Sequence, residues 1–343
     1  MKLARILNGR PARALFLLAA LFVLATMVWP SPPPPGAGPA EASLTAVAVP
    51  LDAADLRRRR VGALLFRRGW SLSSEEPRFG GISAMAVERD RVTAISDAGV
   101  LLHFRLPRTA GGAQPLRVEP LPNSVGADKA DHDTEAILLR GPQAWIAFER
   151  HNAVVRYWRG DWRIEAGAQP RPMRRWRGNS GPEAMVRLAD GRFLIFSEGR
   201  DDEDPYSDVA LFAGDPAERG TPAAALRFRR VPGFRVTDAA LLPDGRLLIL
   251  SRRFSWLGGI SARLVVARTA GLGPGAVIEG REIADLGASL TVDNMEALSV
   301  TVEGGRTIVR IASDDNFMAL QRTLLLEFEL AEEPENESSS SRT

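Results

Sequence analysis

The feature that most constrains the fold is a repeat of about 50 residues in which two apolar strands flank a short turn. Residues 181–200, GPEAMVRLADGRFLIFSEGR, show the unit: an Asp-Gly turn joins two apolar runs, and a glutamate stands at the outer end of each. The first of these two positions recurs every 48 to 58 residues, at Ser83, Glu135, Glu183, Asp238 and Glu296. The second recurs at Asp97, Glu149, Glu198, Arg252 and Asp314. A period near 50 with several short strands per repeat is typical of a β-propeller.

Further apolar runs follow each hairpin, so that a full repeat supplies four short strands, and helical patterns are nearly absent. Runs such as RFLIFS and RLLILS are apolar at every position, as expected for strands that neighbouring blades cover on both faces. The sequence therefore predicts an all-β propeller with five visible four-stranded blades, and a sixth if one repeat has diverged. The last repeat lacks its fourth strand, and the run at 61–72 is predicted to complete it and close the ring.

The N-terminus has the pattern of an export signal, because a basic segment precedes 16 uncharged apolar residues, Ala14 to Trp29. This run is short for a membrane span, which needs about 20 residues. We expect a signal or membrane anchor over 1–29, a Pro-rich linker over 30–60, the propeller over 61–331 and an acidic Ser-rich tail over 332–343. The expected location is the periplasm or another extracytoplasmic site, either in solution or anchored to the inner membrane through residues 14–29.

Composition excludes several classes of function. The chain has no cysteine, which removes thiol catalysis and cysteine-bound metal sites. The formal net charge of +2 becomes −2 without the four basic residues that precede residue 14. Since no nucleic-acid-binding motif is present either, no nucleic acid is expected as a partner. The three histidines, His103, His132 and His151, are too few for a zinc site. We expect a monomer.

The acidic positions converge in a propeller, because the start of each inner strand and the end of the next strand lie at one face. Opposed side chains in a hairpin are about 5 Å apart at their base, so the carboxylates need raised pKa values or a bound cation. Ca²⁺, which takes about six to eight oxygen ligands, suits such a set. The expected metal ligands are Asp97, Glu135, Glu183, Asp238, Glu296 and Asp314, with further oxygens from Asp133, Asp293, Asp315, Asn179, Asn294 and Asn316. The alternative for each carboxylate is a structural role, in which it caps a turn or a backbone N–H of the next blade.

Six motifs together resemble, in order and spacing, the phytase-like propeller domain: RFGGISAMAV, DTEAI, NSGPEAM, ALLPDGRLLILSRRF, DNMEAL and SDDNF. The resemblance spans roughly residues 62–330. It implies a β-propeller and the esterase-like activity of phytase that is attributed to this bacterial family, for which a phosphodiesterase link has also been suggested.

Two classes of function follow from these patterns. The first is an exported phosphoester hydrolase, in which Glu149 or Glu198 acts as the base and His132 or His151 as the acid. In this hypothesis the substrate is a small anionic or phosphorylated molecule, and it is bound by Arg150, Arg200, Arg252 and Arg253. The second is a non-catalytic periplasmic propeller that binds a ligand or a partner protein, with purely structural carboxylates. A lactonase-like propeller with one central metal is a third alternative.

Overall fold

The computed structural model describes residues 38–331 except 110, 123–131, 178–179, 201–203 and 256–257. The predicted signal or anchor at 1–29, the tail at 332–343 and Asn179 lie outside the described residues. The regular elements of the described part are all β-strands. No helix in that part has the length and apolar character needed to span a membrane.

The described residues form five blades of a β-propeller, each with four antiparallel strands ordered from the channel outward. Blade 1 contains β4 (Ile82–Glu88), β5 (Arg91–Ser96), β6 (Val100–Arg105) and β7 (Ala113–Pro120). Blade 2 contains β8 (Thr134–Arg140), β9 (Gln143–Phe148), β10 (Ala153–Trp158) and β11 (Arg163–Ala168). Blade 3 contains β12 (Pro182–Arg187), β13 (Phe193–Ser197), β14 (Tyr206–Phe212) and β15 (Ala223–Arg229), and β19 (Val277–Ile278) adds a short parallel pairing to β15.

The last two blades complete the ring. Blade 4 contains β16 (Arg235–Leu241), β17 (Leu247–Ser255), β18 (Gly259–Ala267) and β20 (Gly280–Leu286). Blade 5 contains β21 (Asn294–Glu303), β22 (Arg306–Asp314), β23 (Thr323–Leu330) and β3 (Leu64–Ser74), and the short β2 (Arg60–Val61) pairs with β3. The inner strands β4, β8, β12, β16 and β21 each contact the next, and β21 contacts β4 again. Five inner strands therefore surround one channel.

The hydrophobic core is divided among the interfaces between blades. Five clusters of buried apolar side chains occur in the described structure, one between each pair of neighbouring blades. Between blades 2 and 3, for example, Trp145 and Val154 pack against Met185 and Ile195. Strand β13, FLIFS, is buried at every position because each of its faces lies against a neighbouring blade.

A strand from near the N-terminus closes blade 5, as the sequence predicts. β23 pairs antiparallel with β3, in a register that runs from Thr323 opposite Leu72 to Leu330 opposite Leu64. Without β3, β23 would present a row of unpaired backbone groups at the edge of the sheet. The prediction that 61–72 completes the last blade is therefore confirmed.

Part of the predicted linker also belongs to the propeller. Residues 40–48 form β1 (Ala40–Ala48), which pairs with β3 on one side and with β7 on the other. This strand joins blade 5 to blade 1 in one ten-stranded sheet, and its buried Leu44 and Ala46 enter the cluster between those blades. The Pro-rich composition ends at Pro39, so residues 40–48 keep the backbone N–H groups that a strand needs.

Every inner strand carries a β-bulge close to its start. The unpaired residues are Ser83, Glu135, Glu183, Thr237 and Glu296. A bulge bends the strand and redirects a side chain, and bulges are frequent beside functional sites. The five bulges thus lie at equivalent positions around one mouth of the channel.

The register corrects the sequence alignment of the repeats in blade 4. The alignment places Asp238 in the first acidic position, whereas the bulged residue is Thr237. Because side chains alternate between the two faces of a strand, a shift of one residue turns Asp238 away from the position predicted for it. Its carboxylate instead accepts the backbone N–H groups of Ala239 and of Leu298 in blade 5, both at 2.7 Å. Asp238 therefore links two blades, and burial together with the nearby charge of Glu296 raises its pKa well above the usual value.

Blade 5 also contains a buried network of ion pairs. Arg310 in β22 and Glu327 in β23 have fully buried side chains, and Arg310 Nε and Nη2 lie 2.8 and 2.7 Å from Glu327 Oε2. Arg68 in β3 donates its Nε–H to Glu327 Oε1 at 2.9 Å. Charged side chains therefore reinforce the backbone ladder that holds the ring-closing strand.

We predict that Glu327→Gln lowers the free energy of unfolding by about 3 kcal/mol, because the buried Arg310 guanidinium loses its fully buried carboxylate partner and keeps Glu303, whose side chain is 37% exposed. The matched control is Glu329→Gln, two residues further along β23, where a 24% exposed side chain pairs with Arg306 at 3.3 Å. This control should lose less than about 1 kcal/mol. Urea denaturation measures both values, and equal losses in the two variants would contradict the prediction.

Candidate functional site

The mouth of the channel gathers two side chains from each blade: the bulged residue of the inner strand and a residue that lies in, or directly after, the second strand. The second group consists of Asp97, Glu149, Glu198, Arg252 and Asp314. Asp97, Glu149 and Glu198 each donate a backbone N–H to the carbonyl of the residue that lies two positions before the bulge. The accepting residues are, in the same order, Gly81, Asp133 and Gly181. The hairpin register therefore brings the predicted acidic positions together at one face, with the exception of Asp238.

Three carboxylates of blade 2 form the tightest group. One oxygen each from Asp133, Glu135 and Glu149 can be chosen so that all three lie within 4.8 Å of one another, and all three residues are half-buried. We call this group the blade 2 cluster. Asp133 lies two residues before the bulged Glu135, and its backbone carbonyl accepts the N–H of Glu149. The bulge turns the Glu135 carboxylate toward those of Asp133 and Glu149.

Burial and mutual repulsion make these carboxyl groups reluctant to ionise. Burial, followed by the neighbouring charges of Glu183 and Asp133, raises the pKa of Glu135 well above its usual value. Burial and the charge of Asp133 raise the pKa of Glu149 to about 8. Gly181 allows its blade to approach Glu149, since a Cβ there would lie 2.5 Å from the Glu149 carbonyl oxygen. The backbone N–H of Gly181 donates to Glu149 Oε1 at 3.3 Å.

Glu183, the bulged residue of blade 3, adjoins the blade 2 cluster. Its side chain is only 7% exposed, and within the described residues its carboxylate makes no hydrogen bond. Burial, together with the charges of Glu198 and Glu149, raises its pKa well above the usual value. A carboxyl group whose pKa is so strongly raised by burial and by neighbouring acids marks this point of the mouth as a candidate for chemistry.

Blade 4 places cations where the other blades place acids. Arg252 Nε lies 2.5 Å from Glu296 Oε1 in blade 5, and Arg252 Nη2 lies 3.7 Å from Glu198 Oε1 in blade 3. Arg235, opposite Arg252 in the strand register, lies 2.8 Å from Glu198 Oε2. Burial raises the pKa of Glu296 to about 7, although the charge of Arg252 acts to lower it. Arg235 is absent from the sequence predictions. The corrected register shows that it lies two residues before the bulge of its blade, as Asp133 and Gly181 do in theirs.

The other arginines predicted to bind substrate have separate partners and do not join Arg252. Arg150 is exposed, and its Nε lies 2.9 Å from Asp133 Oδ2, so it borders the blade 2 cluster. Arg200 pairs with Asp208 at 3.2 Å. Arg253 stacks over the ring of Phe234 at 4.7 Å and points away from Arg252. The four predicted arginines therefore do not form one group.

Of the remaining predicted acids, some lie at the mouth and others make structural contacts away from it. Asp314 is buried, and burial together with the charge of Asp97 raises its pKa well above the usual value. Asp315 is structural, since it accepts the Gly81 N–H at 2.9 Å and the Thr323 hydroxyl at 2.7 Å. Asp293 pairs with Arg322 at 3.4 Å. Asp314 and Asp97 thus belong with the acids of the mouth, and Asp315 and Asp293 do not.

The histidines occupy three different environments. His132 precedes Asp133 and packs against Gly99 of blade 1, where a Cβ would lie 2.6 Å from the His132 Cβ. His151 lies in the turn between β9 and β10, two residues after Glu149. His103, in β6, contacts Glu119 Oε1 at 3.0 Å, and burial lowers its pKa. Only His132 and His151 adjoin the blade 2 cluster in sequence.

The blade 2 cluster fits a hard divalent cation. Two oxygens that share a Ca²⁺ at about 2.4 Å can be no more than about 4.8 Å apart, and the three carboxylates meet this limit. Among the described residues, the mouth has eight carboxylates and three arginines. The carboxylates are those of Asp97, Asp133, Glu135, Glu149, Glu183, Glu198, Glu296 and Asp314, and the arginines are Arg150, Arg235 and Arg252. A bound cation would offset part of this excess of negative charge.

A comparison with family profiles gives a match over most of the chain. The profile of the family described as "Phytase-like: Esterase-like activity of phytase" matches residues 77–317. No curated protein sequence matches the chain at a significant level.

Three solved structures resemble the chain at low identity. A glutaminyl cyclase of Myxococcus xanthus is 9% identical, with 74% of this chain and 92% of that chain covered and a TM-score of 0.43. The Cps50 (Swd1) β-propeller domain of Myceliophteria thermophila is 11% identical, with 85% of this chain and 100% of that chain covered and a TM-score of 0.39. A chain of a mitotic checkpoint complex is 11% identical, with 79% of this chain and 72% of that chain covered and a TM-score of 0.36. At these values the similarities carry no information about activity.

We predict that the metal-free protein loses stability as the pH rises from about 5 to about 8. The pKa values of Glu149 (about 8) and Glu296 (about 7) exceed the ordinary value of 4.5, so the native state holds more protons than the unfolded chain in this interval. The free energy of unfolding must then fall with increasing pH.

Urea denaturation in the presence of EDTA at pH 5, 6.5 and 8 measures this effect. Glu149→Gln should flatten the dependence, whereas Glu41→Gln, which alters a 67% exposed side chain on β1, should leave it unchanged. Stability that increases over the same interval would show that the carboxylates at the mouth are not the controlling groups.

Proposed function

The chain belongs to the phytase-like family, and on this premise we propose that it is a phosphoester hydrolase whose site is the channel mouth. The observation that supports this most directly is the blade 2 cluster, in which three carboxylates come within 4.8 Å of one another beside the buried Glu183. Acidic clusters that hold divalent cations are a common basis of phosphoryl transfer.

In this proposal Asp133, Glu135 and Glu149 hold the cation, and Ca²⁺ is the ion that their oxygens suit. When bound, such an ion neutralises phosphate oxygens and lowers the pKa of a coordinated water molecule. Glu149 is thereby a metal ligand rather than the base that the sequence suggests. Glu135 keeps the ligand role expected for it.

Glu183 is the residue that we assign to take the proton from the attacking water. It lies beside the cluster, and the positive charge of a bound cation would favour its ionised form, in which it can accept a proton. Glu198 suits this role less well, because arginines engage both of its oxygens. Glu198 and Glu296 instead hold Arg235 and Arg252 in place.

Arg252 and Arg235 are the proposed ligands of the substrate phosphate. Each lies against carboxylates that fix its guanidinium group, and Arg252 keeps 29% of its side chain exposed. As the water oxygen bonds to phosphorus, the bond to the alcohol oxygen breaks and that oxygen needs a proton. His132 and His151, which adjoin the cluster in sequence, are the proposed donors of this proton.

We predict that Glu135→Gln and Glu149→Gln each abolish Ca²⁺ binding and reduce phosphoester hydrolysis at least a hundredfold, because each removes one of three charged ligands. Asp208→Asn is the matched control, since Asp208 lies outside the cluster and pairs with Arg200. Isothermal titration calorimetry with Ca²⁺ and turnover of an aryl phosphoester provide the two measurements. If wild-type protein binds Ca²⁺ but hydrolyses no phosphoester, the function is that of the non-catalytic binding propeller.

We predict that Arg252→Gln lowers kcat/KM by roughly ten- to a hundredfold, the loss expected for a charged hydrogen bond to phosphate. The control is Arg253→Gln, the next residue, whose guanidinium stacks on Phe234. This change should alter kcat/KM less than about twofold. Equal losses in the two variants would show that Arg252 has no special part in phosphate binding.

We also propose that the protein is exported, as the basic and apolar pattern of residues 1–29 suggests. Cell fractionation should recover it from the periplasm or the inner membrane. Recovery of the full-length chain from the cytosol would contradict export and leave the proposed chemistry unaffected.

A further inference from the structure

In the described structure, four of the five blades have a covered outer edge. In blade 1 the outer strand β7 pairs with β1, and in blade 5 the outer strand β3 pairs with both β1 and β2. In blade 3, β15 pairs with β19. In blade 4, β20 contacts β2, and its Ile283 carbonyl accepts the Ala63 N–H at 2.8 Å. Strand β11 of blade 2 pairs with β10 alone among the described strands, so its other edge is open.

The open edge of β11 has a protected and an unprotected part. The register with β10 skips Glu165, which is the extra residue of a bulge. Native sheets protect their edges with bulges and charged side chains, and the part of β11 that contains Arg163 and Glu165 has both. The next three residues, Ala166, Gly167 and Ala168, have neither. Their small side chains allow a further backbone to approach.

This unprotected stretch borders a groove with a volume of about 940 Å³. The groove lies between β11 and the loop at 213–222, which joins β14 to β15 in blade 3. Its apolar wall includes Ala166, Phe212, Pro222 and Ala223. Ala166 lies opposite Arg156, which pairs with Asp215 in that loop, so the Ala166 side chain is turned toward blade 3. A side chain that enters the groove therefore meets apolar surface.

The rim of the groove is positively charged. Arg171, Arg174 and Arg219 line it and are exposed, and none of them pairs with a carboxylate among the described residues. Arg174 is oriented by its Nε–H, which donates to the Gln169 carbonyl at 3.1 Å. Glu218 also lines the groove, but Arg156 lies 2.9 Å from its carboxylate. The rim therefore attracts negatively charged groups.

We infer that the open edge of β11 binds an extended segment of a partner protein, with apolar side chains at its centre and acidic side chains beyond them. The unpaired backbone groups of the edge select a peptide, because an added strand satisfies them with main-chain hydrogen bonds. The central side chains fill the groove. Arg171 and Arg174 follow the end of β11, so the acids that they bind lie beyond the paired residues.

Two other occupants fit these features less well. A second copy of this chain would bring the same arginines to the edge, and their like charges would repel. The acidic tail at 332–343 has glutamates but no large apolar side chain for the groove. The inferred binding is independent of the proposed hydrolysis, since β11 is the outermost strand of its blade and the mouth is formed by the inner strands.

The test uses a synthetic heptapeptide, Glu-Glu-Val-Thr-Val-Glu-Glu, labelled with fluorescein and amidated at its C-terminus. Fluorescence anisotropy with the full chain in EDTA measures its Kd. The full chain should bind this peptide at least tenfold more tightly than Gln-Gln-Val-Thr-Val-Gln-Gln, because the rim arginines attract carboxylates. A fully N-methylated peptide of the acidic sequence keeps the charges and loses the N–H donors. It should bind at least tenfold more weakly.

The double variant Arg171→Gln, Arg219→Gln should bind the acidic peptide about tenfold more weakly, the loss expected for two exposed ion pairs. Its affinity for the glutamine peptide should not change. The matched control is the double variant Arg140→Gln, Arg268→Gln. Both of these arginines are exposed and pair with no carboxylate among the described residues, and neither lines the groove. The control should change the Kd less than twofold.

Several results would overturn the inference. These are no binding of the acidic peptide, equal binding of the acidic and glutamine peptides, undiminished binding of the N-methylated peptide, or equal losses in the two double variants. A chain that ends at Ala331 should bind as the full chain does, and tenfold tighter binding would identify the tail as the occupant instead. Sedimentation velocity should show no dimer that the acidic peptide dissociates, since such a dimer would identify a second copy as the occupant.

Discussion

Packing between blades fixes the starts of five inner strands around one channel, and the carboxylates they carry cannot move apart without breaking that packing. Glu135, Glu183 and Glu296 are each at a bulge of such a strand. The resulting repulsion is relieved by protonation, which the raised pKa of Glu149 reflects, and by ion pairs with Arg252. A bound cation would be a third means of relief, for which the blade 2 cluster has the oxygens. The chemistry proposed for this mouth follows from the same crowding.

The ring of side chains at the mouth is strongly asymmetric. Blade 2 contributes carboxylates at three positions where blade 4 contributes Arg235, Thr237 and Arg252. Blade 3, between them, contributes Glu183, which has no hydrogen bond among the described residues, and Glu198, which pairs with both arginines. A phosphate that reaches from the cation side to the arginine side would lie beside Glu183. The separation of the carboxylates in blade 2 from the arginines in blade 4 supports a substrate-binding role for the mouth over a purely structural role of its acids.

The repeat pattern sufficed to predict five blades and the closing strand at 61–72, because strands covered on both faces must be apolar throughout and an open edge needs a partner. The pattern was less informative about the site. It placed Asp238 one residue out of register and missed Arg235, since a bulge inserts a residue without any change in apolar periodicity. Asp133 was expected only to assist other ligands, although it belongs to the tightest group.

The sequence by itself determined the class of fold, the order of the strands and the presence of acids at the ends of the hairpins, because all three depend on local apolar periodicity and turn residues. Only the tertiary structure decided which of those acids meet. Glu183 comes close to Glu149, and Arg252 to Glu296, through contacts between blades that lie tens of residues apart in the chain. Such contacts depend on the register of each bulge and on the packing of whole blades, and neither is contained in any single repeat.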